Sequence, residues 1–176
     1  MATDHTGPLI FPSQPWFDRY REVINGDEKH AKLADGYGTD FNGDYIFVMT
    51  DMPVDEMNEA EMPDFLREEL DEFVHETPND GHVGCAYLGL EDGRCTGARL
   101  VESPDAVDHG FVLTATIDDW KDLIDGQVDI ISGMMSGRFA LDGDMQKTLQ
   151  YSAAAQRLTE LAASVDAQFA DEIYTN

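Results

Sequence analysis

The sequence has few basic residues: 11 lysines and arginines stand against 36 aspartates and glutamates, for a formal net charge of -25. Binding to nucleic acid requires clustered basic side chains that neutralise phosphates, so the composition argues against it. Hydrophobic residues make up 42% of the chain and aromatic residues 10%, too many for wholesale disorder. A folded chain with this acidic excess is typical of a salt-rich cytoplasm, where a Debye length of about 3 Å at 1 M salt screens self-repulsion. We therefore expect a cytoplasmic protein from a halophilic archaeon.

Long apolar runs are also missing, since none approaches the roughly 18–20 residues of a membrane span. Residues Met1 to Phe17 lack the basic start and apolar core of a secretory signal. We therefore expect no stable membrane insertion. A length of 176 residues suits one domain. The sequence predicts a tail or arm over residues 1–14 and a single domain over residues 15–176.

The sequence contains two cysteines, Cys85 and Cys95, within a segment that predicts a hairpin over residues 82–101. An Asp92-Gly93 pair is typical of a two-residue hairpin turn. Pairing across that turn places the two thiols on opposite faces of the hairpin. We therefore expect free thiols rather than a disulfide.

Motifs for catalysis and metal binding are absent from the sequence. Its five histidines show no H-x-x-x-H or H-x-H spacing, and no G-x-S-x-G motif occurs. The Gly36-Tyr37-Gly38 sequence lacks the third glycine of a dinucleotide-binding loop. We therefore predict no metal, no cofactor and no enzymatic activity.

Hydrophobic periodicity predicts helices after Pro15 and from Pro63 to Glu76, and a central strand over Tyr45 to Met49. The acidic segment 50–62 contains three methionines and shows no clean period. It is expected to be either a surface loop or a weak helix.

The most informative run extends from Phe111 to Leu149. A strand with period two leads to a short helix for which Asp118 or Asp119 is the expected N-cap, and Gly126 is the expected stop. A second strand, Arg138 to Leu141, is followed by an Asp142-Gly143 turn. Asp144 then caps a long predicted helix that begins at Met145 and whose apolar stripe extends to Phe169.

The order and spacing of ten residues in this region resemble the sterol carrier protein type 2 family: Thr114, Ile117, Trp120, Leu123, Gly126, Gly137, Phe139, Leu141, Gly143 and Asp144. The resemblance covers roughly residues 80 to 165. It implies an α+β fold. The expected sheet has five strands, is mixed but mainly antiparallel, and has helices covering one of its faces. It also implies a non-catalytic tunnel that binds sterols, fatty acyl chains or related lipids.

The resemblance leads us to predict a lipid-binding module with an apolar wall. The predicted wall residues are Phe111, Leu113, Trp120, Leu123, Ile131, Met134, Met135, Phe139, Leu149 and Leu158. The same tryptophan and methionines are also typical of ordinary core packing, so that interpretation stays open. A halophilic archaeon would offer isoprenoid chains rather than sterols, so the expected ligand is prenyl, acyl, acyl-CoA or sterol-like. The alternative is an interaction module that pairs with itself, as a homodimer, or with an enzyme through an apolar surface.

Overall fold

The computed structural model describes residues 8–175. Residues 1–7, half of the predicted N-terminal arm, lie outside the described part. The strands are β1 (Leu9–Phe11), β2 (Tyr45–Met52), β3 (Val74–Thr77), β4 (Gly81–Glu91), β5 (Arg94–Val101), β6 (Phe111–Thr116), β7 (Ala140–Asp142) and β8 (Ala167–Phe169). The α-helices are α1 (Gln14–Asn25), α2 (Glu28–Leu33), α3 (Asp64–Phe73), α4 (Ile117–Ile124), α5 (Ile130–Met135), α6 (Met145–Gln150), α7 (Ser152–Ser164) and α8 (Ala170–Ile173).

Six of these strands form the main sheet, in the order β3-β4-β2-β6-β7 with β5 also paired to β4. Strands β3 and β5 share one edge of β4, because β3 pairs with residues 81–84 and β5 with residues 85–91. The β2–β6 pair is parallel, and the other pairs are antiparallel. The predicted mixed, mainly antiparallel sheet is confirmed. It contains six strands rather than five, although it is five positions wide.

Strand β2 is central, as predicted, since it pairs with β4 on one side and β6 on the other. Its residues alternate between two apolar layers. Tyr45, Phe47 and Met49 contribute to the main core under the helices, whereas Ile46 and Val48 belong to a smaller cluster on the opposite face. Both faces of β2 therefore bury apolar side chains, which explains its continuous apolar run.

The β4–β5 hairpin turns at Asp92 and Gly93, as predicted. Both residues have positive φ angles, 50° and 82°, as a type I′ turn requires. Cys85 belongs to the smaller cluster, on the same face of the sheet as Ile46, whereas Cys95 belongs to the main core. Both are free thiols. Burial raises the pKa of each thiol to about 11. The prediction that the cysteines lie on opposite faces and do not bond is confirmed.

The boundaries of three other elements differ from the predictions. Thr116, rather than Asp118 or Asp119, is the N-cap of α4, because its side chain accepts the backbone N–H of Asp119. The predicted long C-terminal helix is interrupted at Tyr151, where ψ is 29° and the ring packs against Tyr37. The helix then ends at Ser164, and Phe169 lies in β8, which pairs with β1.

The acidic segment 50–62 is neither a simple surface loop nor a regular helix. Strand β2 continues to Met52, and two short 3₁₀ turns follow, at Val54–Glu56 and Glu59–Glu61. All three methionines of the segment are buried, two of them in a satellite cluster with Leu66 of α3. These side chains therefore anchor the segment to the domain. No helix within residues 8–175 is long and apolar enough to cross a membrane.

Candidate functional site

A cavity of about 70 Å³ lies between the main sheet and the helices that cover it. Its wall comes from β2, β4 and β6 on one side, and from Phe11 and helices α1, α4, α5, α6 and α7 on the other. Within the described residues, no charged side chain lines it. The lining residues are Phe11, Trp16, Phe17, Tyr20, Tyr45, Phe47, Leu88, Leu90, Leu113, Trp120, Leu123, Ile124, Ile130, Met134, Thr148, Ala155, Leu158, Thr159 and Ala162.

Several polar atoms of the wall hold its elements together. The Trp120 indole Nε1–H donates to the Val48 carbonyl at 3.1 Å, which ties α4 to β2. The Tyr20 hydroxyl donates to the Leu158 carbonyl at 2.9 Å, which ties α1 to α7. These hydrogen bonds satisfy two buried donors within the wall.

Helix α5 is held to its neighbours by one ion-pair network and one close approach. The Arg138 Nε atom donates to Asp119 at 2.8 Å, and its Nη2 atom donates to Asp122 at 2.5 Å. Both carboxylates belong to α4, so the loop after α5 is fixed to that helix. Phe139 then packs edge-on against Trp120, with ring centroids 5.1 Å apart, and it contacts Gly133 of α5.

The wall also contains an unsatisfied donor. Trp16 is 1% exposed and its Nε1 atom has no hydrogen-bond partner among the described residues. The backbone of Trp16, in contrast, is well placed, because its N–H donates to the Ser13 side chain at the N-cap of α1. The position of the indole therefore follows from the helix start, while its polar edge is left unpaired.

A second cavity of about 20 Å³ adjoins the first and shares five wall residues with it: Tyr45, Leu90, Thr148, Ala155 and Leu158. Burial raises the pKa of Tyr45 against the opposing effect of its hydrogen bonds with Thr148 and Tyr37. Its hydroxyl therefore stays neutral at physiological pH.

Within residues 8–175, no group of three His, Cys, Asp or Glu side chains is placed to hold a metal ion.

The structure brings five of the ten predicted wall residues to the larger cavity: Leu113, Trp120, Leu123, Met134 and Leu158. Two more lie in the core behind the wall. Phe111 stacks on Tyr45 with ring centroids 4.9 Å apart, and Phe139 packs against Trp120. These two residues support the wall without lining it.

The other three predicted residues do not reach the cavity. Met135 is 77% exposed, Leu149 is 47% exposed, and Ile131 is half-buried. Helical geometry explains the placement on α5, because Ile130 and Met134 are four residues apart and both face the cavity. Ile131 and Met135 each come one residue later, so their side chains are turned by about 100° around the helix axis and face away from the cavity. On α6, Thr148 takes the inward position and Leu149 the outward one.

Fourteen of the nineteen wall residues are absent from the predicted set, and five of these fourteen come from α1 and β2. Trp16 and Tyr20 are four residues apart on one helical face, and Tyr45 and Phe47 are two apart on one strand face. Periodicity marks each pair as buried. It does not show that helix and strand meet across a void, because that depends on long-range packing.

Residues 79–156 match the model of the SCP-2 sterol transfer family. This segment contains β4, β5, β6, β7, α4, α5 and α6 in full, along with the start of α7. It excludes α1 and β2, so the match covers only part of the cavity wall. Among curated protein sequences, none matches this chain significantly.

Two solved structures share the fold over most of the chain. A crystal structure of sterol carrier protein 2 superposes with a TM-score of 0.63 at 22% identity, covering 87% of this chain and 97% of that one. A conserved hypothetical protein of Thermus thermophilus, described as possibly a sterol carrier protein, gives a TM-score of 0.63 at 21% identity, covering 95% of this chain and 97% of its own. The similarity of fold therefore extends well beyond the segment that the family model matches.

Proposed function

We propose that this protein, whose residues 79–156 match the model of the SCP-2 sterol transfer family, binds and transfers an apolar lipid without catalysing a reaction. The observation that carries the proposal is the cavity between sheet and helices, whose wall is aromatic and aliphatic. A wall without carboxylate, imidazole or thiol groups supports burial of a hydrocarbon and offers no acid–base pair for catalysis.

Burial of apolar surface supplies the binding free energy in this proposal. A chain of about sixteen carbons, at about 0.8 kcal/mol per buried CH₂ group, gains about 13 kcal/mol. Association and ordering cost about 4–15 kcal/mol, and a cost of about 5 kcal/mol would leave about 8 kcal/mol, an affinity in the micromolar range. That affinity is tight enough to extract a lipid and weak enough to release it.

The cavity is too small to hold a long hydrocarbon chain unless side chains of its wall move. An engineered dry cavity of about 150 Å³ in another protein accepts benzene, whereas this one is about 70 Å³. A long chain must therefore displace wall side chains as it enters. Met134 is suited to this because methionine is unbranched and changes rotamer easily, and α5 is a helix of only six residues.

The lack of charge in the wall limits the ligand class. A charged headgroup would lose its hydration without gaining a partner, so only the chain would enter the cavity. A fatty acid or acyl-CoA would keep its headgroup outside, while isoprenoid and sterol-like ligands could enter further. If the source is a halophilic archaeon, as the net charge suggests, isoprenoid chains are the expected ligands.

Displacement of a fluorescent fatty acid in molar KCl tests this proposal. We expect saturable binding of the probe and its displacement by unlabelled fatty acid and by an isoprenoid alcohol. The absence of saturable binding by any apolar ligand would refute the proposal. The alternative of a homodimer or an enzyme partner stays a prediction, and light scattering in molar salt measures the mass that tests self-pairing.

A further inference from the structure

Trp16 lines the larger, mostly apolar cavity, and its buried indole N–H has no hydrogen-bond acceptor among residues 8–175. Leaving a buried donor unpaired costs about 1–3 kcal/mol. The rings packed around Trp16 belong to Phe11, Phe17 and Tyr20, at centroid distances of 4.8, 5.0 and 5.0 Å. Phenylalanine rings offer no lone pair, and the Tyr20 hydroxyl, which donates to Leu158, makes no hydrogen bond with the indole. The fold therefore leaves this donor without a strong partner.

A buried water molecule is a poor substitute for the missing acceptor. An ordered internal water normally makes about three hydrogen bonds to polar groups of its site. The Trp120 indole already donates to Val48. The remaining polar groups of the wall are the hydroxyls of Tyr20, Tyr45, Thr148 and Thr159, and its other lining residues are apolar, so a water next to Trp16 would meet mainly apolar side chains.

We propose that the Trp16 indole N–H donates a hydrogen bond to an uncharged oxygen of the bound lipid, such as a hydroxyl, ether or carbonyl oxygen. This inference rests on the proposed lipid-binding function and narrows its ligand class. A plain hydrocarbon would leave the donor unpaired, and a carboxylate at this depth would lose its hydration for a single hydrogen bond. The cavity therefore selects a neutral, oxygen-bearing chain.

The chain provides its own internal control, because Trp16 and Trp120 are its two tryptophans and both line the cavity. The Trp120 N–H is already bonded to the Val48 carbonyl, whereas the Trp16 N–H is unpaired. In a ¹H–¹⁵N spectrum, the two indole signals should therefore respond differently to a ligand oxygen. Assignment requires only the spectra of Trp16→Phe and Trp120→Phe.

The test compares 1-heptanol with n-octane. The two chains have the same number of non-hydrogen atoms, but only heptanol carries an acceptor oxygen. The octane is supplied from its vapour. Heptanol should move the Trp16 indole proton downfield, while octane should not, and the Trp120 signal should keep its bonded position with both. In Trp16→Phe, the dissociation constant for heptanol should rise about three- to tenfold. The constant for octane should stay within about twofold, and Trp120→Phe should affect both ligands alike.

Each other outcome has a distinct meaning. If both ligands bind but Trp16→Phe changes their constants equally, the inference fails while lipid binding stands. A water cross-peak on the Trp16 indole in the free protein that persists with heptanol bound also overturns it. If neither chain binds, the proposed function and this inference fail together. The indole shifts are measured on the unsubstituted protein, and one folded variant of the two is enough to assign both signals.

Discussion

Gly133 of α5 lies so close to Phe139 that a methyl group added to the glycine would come within 2.5 Å of the Phe139 Cδ2 atom. The same glycine carbonyl accepts the backbone N–H groups of Arg138 and Phe139, at 2.9 and 3.1 Å. Phe139 in turn packs on Trp120 in the cavity wall. The absence of a side chain at residue 133 thus sets how closely α5 approaches the wall.

Substitution of this glycine should displace α5. In Gly133→Ala, overpacking against a buried ring should cost about 1–3 kcal/mol, more than the gain of up to about 1 kcal/mol in helix propensity. The free energy of unfolding, measured by denaturant titration in molar salt, should fall. Gly26→Ala is the control, because a methyl group there meets only an ordinary contact at 3.4 Å. An equal or higher stability of Gly133→Ala would contradict the account.

Two adjacent methionines provide a matched pair for the cavity wall. Met134 lines the cavity, whereas Met135 is 77% exposed on the same helix. Met134→Ala should change the affinity for a fluorescent fatty acid by about threefold or more, because it alters the shape and contacts of the wall. Met135→Ala should leave the affinity within about twofold. Equal effects of the two substitutions would show that the ligand does not contact this wall.

Asp27 and Arg157 tie α2 to α7 through two hydrogen bonds, from Nε at 2.9 Å and from Nη2 at 2.7 Å. The carboxylate also accepts the backbone N–H of His30 as the N-cap of α2. The hydrogen bond from Arg157 lowers the pKa of Asp27 to about 2, against the opposing effect of burial. Asp27→Asn should therefore reduce stability at pH 7 by about 1–3 kcal/mol.

The stability difference between the unsubstituted protein and Asp27→Asn should become smaller as the pH falls. A depressed carboxyl pKa contributes stability above the unfolded-state value of about 3.8, and that contribution is lost as pH falls toward 2. The stability gap between the unsubstituted protein and Asp27→Asn should therefore narrow over this range. Asp40 is exposed and supplies the control, since Asp40→Asn should change the free energy of unfolding little at any pH in this range. A gap that is constant down to pH 2 would contradict the assignment.

The net charge of -25 predicts that stability depends on salt. The Debye length falls from about 10 Å at 0.1 M salt to about 3 Å at 1 M, so repulsion between acidic side chains weakens. The melting temperature should rise from 0.1 to 2 M KCl and should rise much less with sucrose, which does not screen charge. A melting temperature that is the same in both KCl solutions would argue against a salt-adapted protein.

Local signals allowed correct prediction of those elements whose causes lie within a few residues. The Asp92-Gly93 turn, the Asp144 cap and the Gly126 stop, where φ is 77°, are all present. The predicted helix from Pro63 to Glu76 was too long, because Val74 begins β3. Val74 fits the apolar face of α3 equally well, and only its pairing with Gly84 of β4 makes it a strand residue.

The cavity could be predicted only in part, since its wall depends on contacts between distant segments. Residues within the 111–149 run could be named because the family resemblance covers them. Trp16 and Tyr45 lie outside that run, and they reach the cavity through the packing of α1 and β2 against α7 and β6. On short helices, apolar character alone could not separate Met134 from Met135, because that distinction depends on which way the helix is rotated.

A cavity-filling substitution tests the central claim most directly, namely that an apolar guest occupies the space between the sheet and α7. Ala155 lines this cavity, whereas Ala153 on the same helix is exposed. In molar KCl, Ala155→Leu should abolish or weaken fatty-acid binding at least tenfold while the protein stays folded, and Ala153→Leu should bind like the unsubstituted protein. Undiminished binding by a folded Ala155→Leu variant would contradict the account.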